Sequence, residues 1–175
     1  MSENWFIPKW LQDAPYAPNA PTFRVRDTLH KYGRYAHEVK TISVVDLIKF
    51  HGHLCGGLMD AAVVLRAGFN RLFGQGAIDR TDLEIIGNNS ACGGDTAAYL
   101  TGARLQFGSQ NIDLALNGGE FYIRRISTGQ TVHVYLRDGV YPQELKAQMR
   151  RVLSDVREPV DISRFGDLHG PMPIV

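Results

Sequence analysis

At 175 residues the chain is the size of one domain and is long enough to bury a core without disulfide staples. Hydrophobic residues make up 44 % and charged residues 21 %, and the formal net charge is +1, so no charge bias points to nucleic acid as a partner. The first residues contain no basic stretch leading into an apolar core, and no apolar run reaches the roughly 18 residues of a membrane helix. The expectation is a cytoplasmic protein that does not enter a membrane and whose two cysteines stay reduced.

Residues 1–40 hold four of the eight prolines, Pro8, Pro15, Pro18 and Pro21, interspersed with Trp5, Phe6, Trp10, Tyr16 and Phe23. Proline blocks long regular elements, while so many aromatics disfavour a solvated tail. This segment reads as an ordered arm lying over the body or over a second copy. Ser43 then reads as the N-cap of a short helix, Val44 to Phe50, that stops near Gly52. Leu58, Ala61, Ala62, Leu65, Phe69, Leu72 and Phe73 recur every three to four residues and mark a largely buried helix ending near Gly74.

Asp82 to Gly87 is short and rich enough in β-formers for a strand, and Cys92 to Leu100 reads as a helix ending at Gly102. Three alternating segments follow: Ile112, Leu114, Leu116; then Phe121, Ile123; then Val132, Val134, Leu136. Asn117-Gly118-Gly119 and the Thr128-Gly129 turn separate them, which predicts an antiparallel meander. Pro142 opens a last helix with Leu145, Met149, Leu153 and Val156 on one face. The predicted order is helix, helix, strand, helix, three strands, helix, an α+β arrangement. The predicted organisation is an arm over 1–40, one domain over 41–158 and a tail over 159–175.

Chemistry concentrates in Phe50-His51-Gly52-His53-Leu54-Cys55-Gly56-Gly57, where two histidines and a cysteine fall within five residues at a helix-to-helix junction. Imidazole and thiolate are the usual ligands of zinc and similar divalent transition metals. Cys92, the other cysteine, also stands at a helix start and is followed by Gly93-Gly94. Unpaired N–H groups at a helix start favour a thiolate, and glycines permit close approach of backbones. If the two starts converge, His51, His53, Cys55 and Cys92 form one mixed metal site of two to four direct ligands, with Zn2+ the first candidate. Cys55 is also the candidate for a catalytic thiolate. Asp95 and Thr96, one turn further on, either orient a ligand or serve as N-terminal charge and cap. His133 reads as a surface histidine and Arg124-Arg125 as a solvated strand face, while His30, His37 and His169 fall in irregular segments. No glycine pattern follows a strand in dinucleotide-binding spacing.

These blocks, with Leu100-Thr101-Gly102 and Phe107-Gly108-Ser109-Gln110-Asn111-Ile112, resemble the FmdE family of formylmethanofuran dehydrogenase subunits over roughly residues 43 to 138. The resemblance implies an α-β-α-β-β-β core with a mixed sheet, similar to the catalytic domain of glyceraldehyde-3-phosphate dehydrogenases. It further implies a metal-binding, commonly dimeric protein, zinc being the usual ion and His51, His53, Cys55 and Cys92 matching the motif positions. The chain departs from the family pattern at Gly56, where proline is usual, and at Leu116 and Gly119, where acidic and lysine residues are common; many members carry a C-terminal cysteine-rich zinc finger, and the tail over 159–175 contains no cysteine. Three functions are consistent with this. The first is a metal site that binds a small molecule or supports metal-assisted chemistry. The second is a metal-independent enzyme with a cysteine nucleophile, and the third an accessory or assembly component of a redox complex, with a structural metal.

Overall fold

The computed structural model describes residues 20–27 and 38–152, in a chain that divides into two units, residues 1–135 and 136–175. Along the first unit run β1 (Thr22–Arg26), β2 (Lys40–Ser43), α1 (Val44–His51), α2 (Gly56–Phe73), β3 (Ile78–Asp79) and β4 (Leu83–Gly87). They are followed by α3 (Ala91–Thr101), a 3-10 turn at Leu105–Phe107, β5 (Gln110–Ile112), β6 (Phe121–Arg125) and β7 (Thr131–Val134). Helices and mixed sheets together make this an α+β protein, as the sequence predicts.

Two small sheets flank the helices. In the first, β1 lies between β2, antiparallel to it, and β3, parallel to it. Only one residue of β2 is buried and β3 is two residues long, so neither edge strand of this sheet has a period to read. Its central strand β1 lies within the predicted arm; Phe23 and Val25 alternate inward, and the Phe23 ring meets Phe69 of α2 edge-on at 6.3 Å. The remainder of the arm, residues 1–19 and 28–37, lies outside the described residues, as does the predicted tail over 159–175.

The second sheet has the order β5-β4-β6-β7. The predicted three-stranded meander is corrected here: β5 runs parallel to β4 at the sheet edge, and only β4, β6 and β7 pair antiparallel. Asp113 explains the difference. Its carboxylate accepts the Ala115 N–H at 2.9 Å and its carbonyl accepts the Leu116 N–H at 3.3 Å, so the chain turns immediately after Ile112. Leu114 is left exposed rather than continuing a strand. The sheet is mixed, as expected.

Burying apolar faces between helices and sheet builds the core from Leu47 and Ile48 of α1, Leu58, Leu65 and Phe69 of α2, Leu100 of α3, and Ile85 and Ile123 of the second sheet. Two glycines set the spacing. A Cβ on Gly68 would lie 2.5 Å from Ile123 Cδ1, so α2 reaches the sheet because residue 68 has no side chain. A Cβ on Gly93 would lie 3.2 Å from the Phe121 ring, which fixes how closely α3 approaches β6.

Helix ends follow the sequence signals closely. Ser43 and Asp46 form a reciprocal capping box on α1, with Ser43 N–H donating to Asp46 at 2.8 Å. Gly52 ends α1 in the left-handed conformation (φ 99°), its N–H donating to Ile48 O at 2.7 Å. Ser90 caps α3 by accepting the Gly93 N–H at 3.0 Å.

In the second unit the described residues end with α4 (Gln143–Val152), which follows Pro142 as predicted. Leu153 and Val156 of the predicted apolar face lie outside the described residues. Among the described residues no helix is long and apolar enough to cross a membrane.

Candidate metal centre

Three helix ends converge. His51 is the last residue of α1, Cys55 is the N-cap of α2, and Cys92 is the second residue of α3. The left-handed Gly52 reverses the chain after His51 so that Cys55 arrives beside it. Gly57 then lets α3 close in: a Cβ there would lie 3.0 Å from Cys92 Cβ and 3.2 Å from its Sγ. The second glycine after Cys55 is thus what brings the two sulfurs together.

Cys55 Sγ lies 3.3 Å from Cys92 Sγ and 3.8 Å from His51 Nε2. The three ligand atoms all lie within 4.8 Å of one another, so this His/Cys2 group could hold a metal ion. Two zinc–sulfur bonds at a tetrahedral angle set the sulfurs about 3.8 Å apart, so the pair would open by about half an ångström around such an ion. Two sulfurs and one imidazole nitrogen form a soft donor set that suits zinc and similar transition metals.

Asp95 completes the arrangement from behind. Its Oδ2 lies 2.8 Å from His51 Nδ1, and the His51 side chain is only 6 % exposed. A carboxylate can only accept, so Nδ1 donates and Nε2, on the side of Cys55, is the ring nitrogen left to bind a metal. This is the carboxylate–histidine support usual behind metal-bound imidazole. Of the two roles open to Asp95 from sequence, the geometry realises the orienting one. Asp95 follows Cys92 by three residues and therefore shares its helix face. Thr96 turns away, its hydroxyl donating to Cys92 O at 2.7 Å inside α3.

His53 stands apart from the three-residue group. It is exposed, with its ring stacked obliquely along His51 at 4.7 Å between centroids. The turn at Gly52 brings the rings side by side rather than around one point.

Electrostatics at Cys55 reverse the simple helix-start expectation. Burial pushes its thiol up to about 11; the Leu58 N–H at 3.4 Å pulls the other way, and the neighbouring Cys92 adds to the rise. Without a cation the Cys55 sulfur therefore keeps its proton, and a divalent ion bound there would supply the charge that favours a thiolate ligand.

The other singled-out residues lie elsewhere in their own settings. His133 Nε2 pairs with Glu120 at 2.7 Å and stacks on Tyr122 at 4.2 Å. Arg124 faces solvent beside Glu84, as expected. Arg125 instead folds back: it pairs with Asp82 at 2.8 Å and donates to Leu72 O at the end of α2. His30, His37 and His169 lie outside the described residues.

Fold and site together define an α+β protein with a His/Cys2 group, backed by a carboxylate, that could hold a metal ion. The family model described as "FmdE, Molybdenum formylmethanofuran dehydrogenase operon" matches residues 50–164, and the chain belongs to that family. The matched region includes His51, His53, Cys55, Cys92 and Asp95 and leaves out β1 and β2. No curated protein and no solved structure matches the chain.

Proposed function

We propose that this protein binds a divalent transition metal, zinc first, through His51, Cys55 and Cys92, and presents it to a small-molecule ligand. The observation that carries this reading is the convergence of three soft donors within 4.8 Å, with Asp95 orienting the imidazole. Three protein ligands leave one position for water or substrate, the pattern of catalytic rather than structural zinc. An ion held there would supply Lewis acidity and charge stabilisation. The chain's own contribution is to fix the His51 tautomer through Asp95, to bury the sulfurs and to hold the helix starts together through Gly57. His53, exposed beside His51 and outside the three-donor group, is the side chain that would meet the incoming molecule. A cytoplasmic homodimer is the proposed setting.

Metal analysis of the purified full chain tests the proposal. About one zinc per chain is expected, falling to background in Cys55→Ser. No stoichiometric metal in the unsubstituted protein overturns it. A second reading, an accessory component of a redox complex with a structural metal, draws support from the family's description as belonging to a molybdenum formylmethanofuran dehydrogenase operon. Chelation separates the two: a structural ion is required for folding, so its removal lowers the melting temperature sharply, whereas a ligand-presenting ion leaves a folded apo protein. Cys55 as a nucleophile acting without metal is disfavoured, because burial, with Cys92 beside it, pushes its thiol up to about 11.

A further inference from the structure

At the opposite end of α2 from the metal group, about 20 Å of helix away, lies a cleft of about 240 Å³ between the last turns of α2 and strand β1. It exists because β3 is so short. β3 pairs only with Val25 and Arg26, so alongside Thr22, Phe23 and Arg24 no strand lies on that side among the described residues. Phe23, Phe69 and Ile78, all buried, line the inner part of this gap.

The polar part is basic. Arg24 from β1 and Arg66 from α2 both line the cleft, with Asn70 one turn beyond Arg66, and no acidic residue is among the described residues lining it. Neither arginine has a carboxylate partner among the described residues, whereas Arg80, Arg124 and Arg125 hold Asp27, Glu84 and Asp82. A helix C-terminus ordinarily repels anions, but here three of its last four carbonyls accept hydrogen bonds. Asn70 O accepts from Gly74 N–H, Phe73 O from Gly76 N–H, and Leu72 O from Arg125.

We propose that this cleft binds a phosphate group, as the free ion or on a small metabolite. Two arginines without a carboxylate partner among the described residues, lining one cleft in which no acidic residue is described, match a tetrahedral dianion better than a single carboxylate. The volume is below the range usual for drug-sized ligands and suits a small anion.

Isothermal titration of the purified full chain with inorganic phosphate, glycerol 1-phosphate and succinate tests the assignment. Saturable phosphate binding with a Kd of about 1 mM or tighter is expected, weakened about tenfold in Arg24→Gln and again in Arg66→Gln. Arg71→Gln, an exposed arginine of α2 that does not line the cleft, should bind as the unsubstituted chain does. Tighter binding of glycerol 1-phosphate identifies an esterified metabolite as the occupant, and tighter binding of inorganic phosphate identifies the free ion; either supports the proposal. Absence of saturation, an equal loss in Arg71→Gln, or succinate binding as tightly as phosphate overturns it. Cys92→Ser should retain phosphate binding, and loss there would move the anion to the metal centre and likewise overturn the assignment. Because this outcome does not require metal to bind, failure of the cleft and failure of the metal reading are read separately.

Discussion

The two ends of α2 solve opposite problems. At the C-terminal end Arg125 donates to Leu72 O, lies over the Phe73 ring at 4.7 Å and pairs with Asp82, whose carboxylate also accepts from Ser127 N–H and Oγ at 2.6 Å each. In this Arg125–Asp82 junction both charges have partners from the same chain. At the N-terminal end two sulfurs and an imidazole nitrogen face one another, and the groups around them hold them in place without completing them. Asp82 illustrates the first condition: burial raises its carboxyl, but hydrogen bonds from Ser127 and Arg125 outweigh that and hold it below its usual value. Cys55 illustrates the second, since no cation from the chain offsets its burial. A polar cluster the fold satisfies internally is structural, whereas one left complementary to a cation points outward to a ligand.

That contrast can be broken most directly at Cys92. Cys92→Ser is expected to abolish stoichiometric zinc binding in metal analysis while leaving far-UV circular dichroism unchanged; retained zinc would show that the sulfurs are not a shared ligand pair. Asp95→Asn should weaken zinc by about 10- to 100-fold in competition with a chromophoric chelator, because the amide no longer enforces the Nδ1–H tautomer of His51. Asp95 is 43 % exposed on its side chain, so the fold should survive and an unchanged affinity would reduce its role to helix capping.

Gly57→Ala inserts a methyl group within 3.2 Å of Cys92 Sγ. A cost of about 1–3 kcal/mol in urea denaturation is expected, with weaker zinc binding in the same protein. Full tolerance would mean that α2 and α3 are not held at this spacing.

The C-terminal junction has its own pH signature. Because the folded value of Asp82 is depressed, its contribution to stability is present above the unfolded carboxyl value and lost as pH falls through the folded one. Asp82→Asn should therefore cost about 1–2 kcal/mol near neutral pH and progressively less in acid, measured by denaturation at several pH values. A cost independent of pH would argue against an ionised pair. The smallest effect is expected for His53→Ala, at most about a twofold change in zinc affinity, since its exposed ring lies outside the three-residue group. A loss comparable to that of Asp95→Asn would make His53 a fourth ligand.

Local signals made much of the fold legible. Ser43, Gly52 and Gly102 act on backbone groups within a few residues, so their caps could be read directly, and the apolar period of α2 marked the helix that packs on the second sheet and, through Phe69, on β1. The first sheet was not legible, because strands of two to five residues with one or two buried positions leave too short a pattern. The parallel placement of β5 was hidden for another reason: it depends on β4, more than twenty residues earlier, and on the turn at Asp113.

For the site, the sequence by itself determined the donor types and their position at helix starts, since ligand chemistry belongs to the side chain and capping geometry to its neighbours. Only the tertiary structure decided which donors meet. Whether Cys55 and Cys92 share a point, whether Asp95 caps a helix or holds His51, and whether His53 joins them depend on how closely α1, α2 and α3 approach. That approach is set by contacts between residues distant in the chain, such as the absent Cβ of Gly57 against Cys92. Its effect on the Cys55 thiol, raised by burial rather than lowered by the helix start, likewise comes from packing that no local pattern encodes.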